Sequence, residues 1–474
     1  MHLLLFLAVP LFAQTPCADM ARLPNVSAAI QTATHCRVSI TLRPTADSEI
    51  KSEVWLPAAS EWNGKLLMEG GGGLVGSINT EGMTHAVREG YASASTDTGH
   101  TGSSGRFALG HPDKITDFAY RAVHETAVEA KALIVAYYGR GPRLSYWEGC
   151  STGGRQGLMS AQRYPEDFDG IIAGAPAYNQ IYISAWRMRL LMTALKSPQH
   201  ALPAAKLKLL NDAVLDKCDS NDGVKDRLIE APCNFDPSVL KCNGTETESC
   251  LTPQQLETVN AAYTDMRKSN GEIIYLRLPF GGELGWRLPA SATEPGALDI
   301  DIFRYIANQD PAWDWRSFDL EKDIDRALLH GNEIHAVNPD LAKFKARGGK
   351  LLMYHGWSDG GSGGSISPLN TIAYYESVLK YMGPNQDDWF RLFMVPGMDH
   401  CGGGTGPNQF NKLAALERWR EQNEPPKSIT AARVNESGVI DMTRPLCPYP
   451  QQAVYKGSGS TNDAENFTCK VKGN

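Results

Sequence analysis

A serine between two glycines is the residue of this chain best placed to act as a nucleophile. Gly149, Ser151 and Gly153 have the G-x-S-x-G spacing of a nucleophile elbow. A β-prone run, residues 144–147, precedes the motif and a helical run, residues 155–163, follows it, which is the strand–turn–helix context that the motif requires. A β-carbon at either glycine would collide with the neighbouring strand or helix. The pattern therefore predicts a Ser151 hydroxyl exposed above a sheet edge, where it can attack a carbonyl.

The same spacing also arises by chance in a glycine-rich chain, but two cysteines supply an independent signal. Cys150 directly precedes Ser151, and Cys401 directly follows His400 far downstream. A disulfide between Cys150 and Cys401 would hold the serine loop beside the histidine loop, because bridged Cα atoms lie only about 4.4–6.8 Å apart. We therefore expect His400 to be the base that takes the Ser151 proton.

The carboxylate that orients His400 is expected on the loop after the preceding strand. Asp359 follows the apolar run at residues 350–354 and is the obvious candidate there. Asp399 competes for the role, but a residue beside the histidine in sequence usually points elsewhere. The chain order Ser151, Asp359, His400 is that of α/β-hydrolases, and it differs from the orders of chymotrypsin and subtilisin.

Two backbone N–H groups are candidates to stabilise an oxyanion. Thr152 begins the helix after the elbow, where the helix dipole favours negative charge. A run of glycines, residues 70–73, follows the buried strand at 66–68. We expect Gly73 in this run to supply the second donor, because this fold takes it from the equivalent loop. The alternative interpretation of the run is a flexible turn.

Composition and the N-terminus predict an exported protein. The chain has 474 residues, a net charge of −7 and 10 cysteines. It lacks the clustered basic residues of a nucleic-acid-binding protein. Residues 1–13 are apolar, end in alanine and are too short to span a bilayer, so we interpret them as a signal peptide, the alternative being a buried N-terminal strand. An even number of cysteines fits an oxidising compartment, so we expect a secreted or periplasmic protein with no nucleic-acid or membrane partner.

Alternation of apolar strands and helical runs predicts a mostly parallel sheet with helices on both faces. The expected strands are residues 37–42, 52–56, 66–68, 91–96, 144–147, 170–176, 350–354 and 392–395, and the expected helices are 118–138, 155–163 and 409–423. Residues 178–345 are helix-rich, aromatic and irregular, and they begin after one core strand and end before another, as an inserted domain does. We predict an α/β-hydrolase core made of residues 14–177 and 346–474 with a large inserted lid domain at 178–345.

An acidic loop in the predicted lid has the composition of a calcium site. Its three aspartates lie three and four residues apart around a glycine turn, which suits a hard cation with oxygen ligands. The loop does not have EF-hand spacing, because Gly223 is the fifth residue counted from Asp219, whereas an EF-hand has its glycine at position six. The expected ligands are the side chains of Asp219, Asp222 and Asp226 and the carbonyl oxygens of Val224 and Leu228. The Ca²⁺ would be structural, and the alternative is a solvated acidic turn.

Together these motifs resemble the tannase and feruloyl esterase family of secreted α/β-hydrolases, over nearly the whole chain. The resemblance rests on Gly149-Cys150-Ser151-x-Gly153-Gly154-Arg155, Tyr354-His355-Gly356-x-x-Asp359, Pro396-Gly397-Met398-x-His400-Cys401, Cys218-Asp219-x-x-Asp222-Gly223-Val224-x-Asp226, Glu61-Trp62-Asn63-Gly64 and Arg444-Pro445-Leu446-Cys447-Pro448-Tyr449-Pro450. It implies a serine triad, a disulfide between the nucleophile and histidine loops, and a calcium-binding lid. It also implies that the substrate is a small aromatic ester, such as a ferulate or gallate ester, either free or attached to plant cell-wall polysaccharide.

The resemblance also implies how the remaining cysteines pair, which sequence alone cannot assign. Cys17 and Cys36 bracket a short N-terminal segment that a disulfide would close into a loop. The implied pairs besides Cys150–Cys401 are Cys17–Cys36, Cys218–Cys233, Cys242–Cys250 and Cys447–Cys469.

We therefore predict a serine esterase of the feruloyl esterase type that acts through an acyl-enzyme. Alternatives are a tannase and a terephthalate half-ester hydrolase. The latter holds its substrate's free carboxylate with a lid arginine that we cannot match to a position here, and the residue after our nucleophile is Thr152, not an acid. A lipase or peptidase on the same fold is a further alternative. A non-catalytic polyphenol- or carbohydrate-binding protein would predict a broken triad, whereas Ser151, Asp359 and His400 are all present.

Overall fold

The computed structural model of the chain describes residues 14–74, 76–230, 233–286, 295–360 and 366–471. The signal peptide predicted at residues 1–13 lies outside the described residues. No helix among the residues described is both long enough and apolar enough to cross a bilayer.

A nine-stranded sheet forms the centre of the molecule. In chain order the strands are β1 (Val26–Gln31), β2 (His35–Leu42), β3 (Ile50–Pro57), β4 (Lys65–Glu69), β5 (Ala92–Thr96), β6 (Leu144–Cys150), β7 (Gly170–Gly174), β8 (Met266–Arg267), β9 (Ile273–Tyr275), β10 (Lys350–Gly356), β11 (Phe390–Val395), β12 (Ile429–Val434), β13 (Ile440–Leu446), β14 (Gln451–Tyr455) and β15 (Phe467–Val471). The central sheet has the order β1-β2-β3-β5-β4-β6-β7-β10-β11. From β5 to β11 all neighbours are parallel, whereas β1, β2 and β3 extend the sheet as antiparallel strands. The mostly parallel sheet predicted from the sequence is confirmed.

Helices cover both faces of this sheet. In chain order they are α1 (Cys17–Met20), α2 (Thr80–Arg88), α3 (Pro112–Thr116), α4 (Ala122–Tyr138), α5 (Thr152–Arg163), α6 (Gln180–Ala194), α7 (Ala204–Cys218), α8 (Pro253–Ala262), α9 (Ala297–Asp301), α10 (Leu320–Gly331), α11 (Ala342–Ala346), α12 (Pro368–Met382) and α13 (Lys412–Gln422). On β4, Leu66 and Met68 pack in one apolar cluster with α4, α5 and α12. Leu67, between them, packs in a second cluster with α2 and α13. This alternation follows from the pleat, because successive side chains of a strand point to opposite faces.

The helix expected at residues 118–138 is present, but it continues a helical stretch that begins at Pro112, and its first turn is irregular. A π-helical turn, Asp117–Arg121, precedes α4. The fully buried Arg155 side chain of α5 donates hydrogen bonds to the carbonyl oxygens of Phe118 at 3.2 Å and Ala119 at 2.9 Å. A buried guanidinium needs such acceptors, and the irregular turn supplies them beneath the helix that follows the elbow.

The chain leaves the sheet after β7 and returns to it at β10, which pairs with β7 in parallel. Residues 175–349, which we call the inserted segment, contain α6 to α11 and the two-stranded β8–β9 sheet. The segment has its own apolar core, in which Trp186 and Phe303 are fully buried. Leu74 and Phe118 belong to the same core, so the inserted segment packs directly on the glycine run that follows β4.

Two small hairpins complete the C-terminal part. β12 pairs with β13 and β14 pairs with β15, both antiparallel. An isolated bridge between Phe393 and Pro448 joins this region to β11. The hairpins therefore lie at the β11 edge of the sheet, on the strand that precedes the histidine loop.

Candidate active site

Ser151 lies in a sharp turn between β6 and α5. Its backbone has φ 63° and ψ −121°, a conformation that non-glycine residues rarely adopt. The Ser151 N–H donates to the Gly174 carbonyl at 2.9 Å, and the Ser151 carbonyl accepts from the Ala177 N–H at 3.0 Å. Strain of this kind persists only where the surroundings over-determine the conformation, and here the end of β7 does so.

The two glycines of the elbow are required by space. A β-carbon on Gly149 would lie 2.6 Å from the carbonyl carbon of Gly153, which is far inside van der Waals contact. A β-carbon on Gly153 would lie 3.1 Å from the Gly71 carbonyl oxygen. The end of β6 thus packs tightly against the start of α5, and the start of α5 packs against the glycine run.

His400 and Asp359 form a buried pair. His400 Nδ1 lies 2.6 Å from Asp359 Oδ2. The Asp359 side chain is fully buried and the His400 side chain is 7% exposed. An ionised carboxylate only accepts hydrogen bonds, so His400 Nδ1–H donates and Nε2 is the nitrogen left to accept a proton. This is the tautomer that a general base requires.

The charges of the pair stabilise each other. Burial alone would raise the pKa of Asp359, but the charge of His400 and hydrogen bonds from His355 and His400 outweigh it and lower the pKa to about 2. Burial alone would lower the pKa of His400, but the charge and hydrogen bond of Asp359 and the charge of Asp399 raise it above its ordinary value. Asp359 is therefore ionised at any pH at which the protein would work.

Asp399, the competing acid, has a different contact. Its Oδ1 accepts the backbone N–H of His400 at 2.8 Å, whereas the ring nitrogen of His400 binds Asp359. The structure thus selects Asp359 as the partner of the imidazole.

A disulfide joins the serine and histidine loops. Cys150 and Cys401 are bonded with their Cα atoms 5.9 Å apart, although they are separated by 251 positions in the chain. Because consecutive Cα atoms are about 3.8 Å apart, the Ser151 and His400 Cα atoms lie within about 14 Å of each other. No hydrogen bond between Ser151 Oγ and His400 Nε2 is present among the described residues. Such bonds are often long or poorly aligned before substrate binds.

The two predicted oxyanion donors lie next to each other. Thr152 Oγ1 donates to the Gly73 carbonyl at 2.8 Å, so the first residue of α5 and the glycine run are directly bonded. Gly73 has φ 56°, in the left-handed region that favours glycine. Within the described residues, neither the Thr152 N–H nor the Gly73 N–H has a protein acceptor. This arrangement can bind an anionic oxygen.

Side chains hold the glycine run at both ends. Asn79 Nδ2 donates to the Gly70 carbonyl at 3.0 Å, and Gln156 Oε1 accepts the Gly71 N–H at 3.2 Å. The ring of buried His100 bonds the Leu74 carbonyl through Nε2 at 2.9 Å. These contacts contradict the alternative interpretation of the run as a flexible turn, because three separate elements fix its backbone.

The sequence motifs included His355 without assigning it a role. In the structure its ring is fully buried, and Nε2 lies 2.9 Å from Asp359 Oδ2, the same oxygen that binds His400. Its Nδ1 lies 2.8 Å from Thr371 Oγ1 on α12. The sequence feature that could have indicated this contact is the position of His355 four residues before Asp359, in the motif Tyr354-His355-Gly356-x-x-Asp359.

The inserted segment contacts each part of this site. A β-carbon added to Gly73 would lie 3.6 Å from the side chain of Leu298, which is on α9. A β-carbon added to Gly285, in the inserted segment, would lie 3.2 Å from the carboxylate of Asp399. Arg187, on α6, forms an ion pair with Asp299 and is near enough to His400 for its charge to act on the imidazole. A cavity of about 430 Å³ lies between the inserted segment and the loops that bear Asp359 and His400.

All five disulfides implied by the resemblance are present. The bonded pairs are Cys17–Cys36, Cys150–Cys401, Cys218–Cys233, Cys242–Cys250 and Cys447–Cys469. Four of them join residues at most 22 positions apart, so only Cys150–Cys401 links distant parts of the chain.

The acidic loop of the inserted segment is closed by its own aspartates. Asp222 Oδ1 accepts the Val224 N–H at 2.9 Å, and Asp226 Oδ1 accepts the Leu228 N–H at 3.1 Å. Asp219 Oδ1 accepts two backbone N–H groups from the same loop. No group of three or more His, Cys, Asp or Glu in the described part of the chain is placed to hold a metal ion. The loop is therefore not a preformed metal cage.

The charge of this loop nevertheless suits a hard cation. Burial, together with the charges of Asp226 and Asp219, raises the pKa of Asp222 to about 6 despite the hydrogen bond from the Val224 N–H. Burial also raises the pKa of nearby Glu230 to about 8, and its Oε1 has no hydrogen-bond partner among the described residues.

Arg444 is the cation already present at the loop. It forms a buried ion pair with Asp226, in which the two side chains are 2% and 7% exposed. Sequence reasoning missed both Arg444 and Glu230, because neither lies inside the aspartate motif. The oxygen-rich donor set fits Ca²⁺ in chemistry, with Arg444 balancing one of the carboxylates.

Comparison with known proteins places the chain in a family. A family model described as tannase and feruloyl esterase matches residues 36–470. An esterase from Xanthomonas campestris pv. campestris is 37% identical over 489 aligned positions, which cover 92% of this chain and 84% of that protein. The crystal structure of feruloyl esterase B from Aspergillus oryzae is 33% identical with a TM-score of 0.87, covering 93% of this chain and 91% of that one. Tannin acyl hydrolase from Aspergillus niger, at 23% identity and a TM-score of 0.76, covers 94% of this chain and 90% of that one and shares the fold.

The family model spans most of the chain, and relatives with more than 30% identity align with nearly all of it. The chain therefore belongs to the tannase and feruloyl esterase family of carboxylic ester hydrolases.

Proposed function

We propose that this protein is a serine esterase that hydrolyses esters of phenolic acids, with ferulate esters as the preferred class. The observation that carries the proposal is the buried pair of His400 and Asp359, joined through the Cys150–Cys401 disulfide to a serine in a strained elbow. A strained nucleophile beside an oriented base is the arrangement that activates a hydroxyl for acyl transfer.

The mechanism follows from the atoms of the site. Ser151 Oγ attacks the ester carbonyl while His400 Nε2 takes its proton, and the resulting oxyanion binds the N–H groups of Thr152 and Gly73. The imidazolium then gives the proton to the leaving alcohol, so that an acyl-enzyme forms on Ser151. A water molecule, deprotonated by His400, attacks the acyl group and releases the acid. Asp359 stabilises the imidazolium in both steps.

Similarity favours ferulate over gallate as the acyl group. The feruloyl esterase of Aspergillus oryzae is the more similar of the two named enzymes, whereas the tannin acyl hydrolase shares only the fold at its level of identity. A substrate with a free carboxylate would need an unengaged cation in the site. Arg187, the cation that acts on His400, is instead paired with Asp299. We propose that the alcohol part is either a simple alcohol or a plant cell-wall polysaccharide.

The test is an ester panel with a matched nucleophile variant. Wild type and Ser151→Ala are assayed with methyl ferulate, methyl gallate and aliphatic esters of rising chain length, and both are treated with a fluorophosphonate. We expect wild type to prefer methyl ferulate and to be labelled at Ser151, with the variant inactive and unlabelled. Equal turnover by both proteins would refute the serine mechanism, and a preference for long aliphatic chains would refute the substrate class.

We also propose that the acidic loop binds a structural Ca²⁺. Asp219, Asp222 and Asp226 would provide carboxylate oxygens and Val224 and Leu228 carbonyl oxygens. The ion would neutralise carboxylates that burial and mutual repulsion leave unfavourable, and it would supply no step of the reaction.

Export is the last part of the proposal. Five disulfides support it, because disulfides persist in oxidising compartments. We propose that residues 1–13 direct the chain out of the cytoplasm and that the enzyme works outside the cell or in the periplasm. Mass spectrometry of the exported protein would identify a new N-terminus near residue 14, and an intact Met1 would contradict the proposal.

A further inference from the structure

Two imidazole rings contact the same carboxylate oxygen of Asp359. His400 Nδ1 lies 2.6 Å and His355 Nε2 lies 2.9 Å from Asp359 Oδ2. The other oxygen, Oδ1, is buried and has no hydrogen-bond partner among the described residues. Among the described residues, both side-chain hydrogen bonds to this buried carboxylate are therefore made to Oδ2, and one of the two comes from a histidine that the mechanism does not use.

His355 is itself held by two elements. It lies on β10, where it pairs in register with Met394 of β11. Its Nδ1 lies 2.8 Å from Thr371 Oγ1, and Thr371 is fully buried on α12. Since Asp359 is an anion, Nε2 of His355 donates to it, and in the uncharged tautomer that does so Nδ1 accepts from the Thr371 hydroxyl. The hydroxyl thus favours the tautomer that can donate to Asp359.

We propose that His355 is a positioning residue for catalysis, which acts through Asp359 by fixing the place and the basicity of Oδ2. A carboxylate held by one donor can rotate about its Cβ–Cγ bond and present either oxygen. With two donors converging on Oδ2, rotation would break both hydrogen bonds, so the oxygen stays where His400 Nδ1–H meets it. The second donor also shares the charge of Oδ2, which limits how strongly Asp359 holds a proton on His400.

The charges near this group are few. His400 faces the carboxylate of Asp359, the negative charge of Asp399 and the positive charge of Arg187. The hydroxyl of Tyr275 accepts the Ser367 N–H at 3.0 Å. Tyr275 is near enough to Asp359 for the negative charge of Asp359 to raise the pKa of Tyr275. None of these groups changes when His355 is replaced, whereas His355 itself acts on Asp359 through its hydrogen bond and its charge, so a change in the titration of His400 reports on the contact between His355 and Asp359.

The test compares a variant that removes the donor with one that keeps it. His355→Leu fills a similar volume without an N–H, and His355→Gln places an amide N–H near the position of Nε2. Three quantities are measured for each: kcat and KM on methyl ferulate, the pKa of His400 by NMR of ¹⁵N-labelled histidine, and Tm. The NMR measurement needs no substrate, so it remains valid if the proposed function, on which the kinetic part of this inference rests, is wrong.

We expect His355→Leu to lower kcat by about 10- to 100-fold with little change in KM, because a displacement near 1 Å has effects of that size. We expect the pKa of His400 to rise by about half a pH unit or more, since Asp359 loses a donor that weakens its basicity. His355→Gln should restore most of kcat and of the titration. A merely structural role would lower Tm in both variants and leave the titration of His400 unchanged.

Several results would overturn the inference. One is a His355→Leu enzyme with the wild-type kcat and His400 pKa, and another is equal loss of kcat in the Leu and Gln variants with no change in the titration. If His355→Leu does not fold, Thr371→Val, which matches the threonine in volume, removes the tautomer-selecting hydroxyl. We expect this variant to lose kcat several-fold, and wild-type kcat and titration would refute the inference. A wild type that fluorophosphonate does not label would refute the proposed function instead.

Discussion

Ser151 illustrates how this molecule keeps a strained residue in place. Its φ of 63° is disfavoured for any residue with a β-carbon, yet both its N–H and its carbonyl are bonded to the chain around the end of β7. Cys401, on the histidine side of the disulfide, has φ 64° as well. The disulfide between the two loops thus joins Cys150, which is next to the strained Ser151, to Cys401, which has a strained backbone itself.

Gly149 should be irreplaceable for steric reasons. In Gly149→Ala the new methyl group would lie 2.6 Å from backbone atoms of Gly153, which cannot rotate away. We expect a loss of at least about 1–3 kcal/mol in the free energy of unfolding, measured with denaturant. Gly72→Ala is the matched control, because a β-carbon at Gly72 has no neighbour within 4 Å. Equal unfolding midpoints for the two variants would contradict this explanation.

The pH dependence of activity should report the His400–Asp359 pair. His400 must be neutral to act as a base, and its pKa is raised above 6.5, so kcat/KM should fall as pH decreases through that raised value. In Asp359→Asn the charge that raises this pKa is gone, so the acid limb should move to lower pH. The rate should fall by about 10⁴-fold, because an amide does not select the productive tautomer.

Asp399→Asn is the control for this experiment, since its amide oxygen can still accept the His400 N–H. We expect a smaller loss of kcat/KM and only a slight downward movement of the acid limb, because Asp399 contributes less than Asp359 to the pKa of His400. A larger effect from Asp399→Asn than from Asp359→Asn would reverse the assignment of the acid.

At the scale of elements, the acidic loop between α7 and the rest of the inserted segment is electrostatically unfavourable by itself. The folded pKa values of Asp222 and Glu230 are raised to about 6 and about 8. A carboxyl with a raised folded pKa contributes stability that is present below its unfolded pKa and lost as pH rises through the folded value. Without a cation, these two groups should therefore destabilise the protein progressively between about pH 4 and 8.

Calcium should relieve this penalty. We expect excess chelator to lower Tm more than it lowers activity at room temperature, with the difference in Tm between Ca²⁺ and chelator growing as pH rises from 5 to 8. Differential scanning calorimetry across this pH range measures it. Asp222→Asn should shrink the difference, because one repelling carboxylate is removed. An identical Tm with Ca²⁺ and with chelator at every pH would refute the calcium proposal.

At the scale of the whole molecule, the Cys150–Cys401 disulfide joins the two halves of the core around the inserted segment. It closes the longest loop of the five, so an entropic account assigns it up to about 5 kcal/mol of stability. Its position beside Ser151 and His400 suggests a second effect, on the distance between base and nucleophile.

Removal of this disulfide should therefore reduce activity before it unfolds the protein. We expect the variant with Cys150→Ala and Cys401→Ala to lose about 10- to 100-fold in kcat at temperatures well below its own Tm. The control replaces Cys242 and Cys250, which close a loop of separation 8 far from the nucleophile in sequence, and should keep wild-type kcat. Wild-type kcat in the first variant would show that the disulfide has no role in positioning.

Local motifs explain why much of the site could be predicted. The elbow depends on glycines two residues before and two residues after Ser151, and on a strand before the motif and a helix after it. All of these features are visible in a short window of sequence. The C-terminal hairpins were not predicted, because their strands are short and largely half-exposed and so lack continuous apolar runs. The irregular turn before α4 was not predicted, because the Arg155 side chain that binds its carbonyl oxygens is distant in sequence.

The candidate nucleophile, the candidate histidine and the family could be read from the residues alone, since each depends on neighbouring residues whose geometry the backbone sets locally. The choice between Asp359 and Asp399, the position of Arg444 and Glu230 at the acidic loop and the hydrogen bond of His355 to the acid came from the folded chain. Most of these contacts join residues that are distant in sequence, and strand order and register, which no local pattern specifies, decide which distant side chains meet.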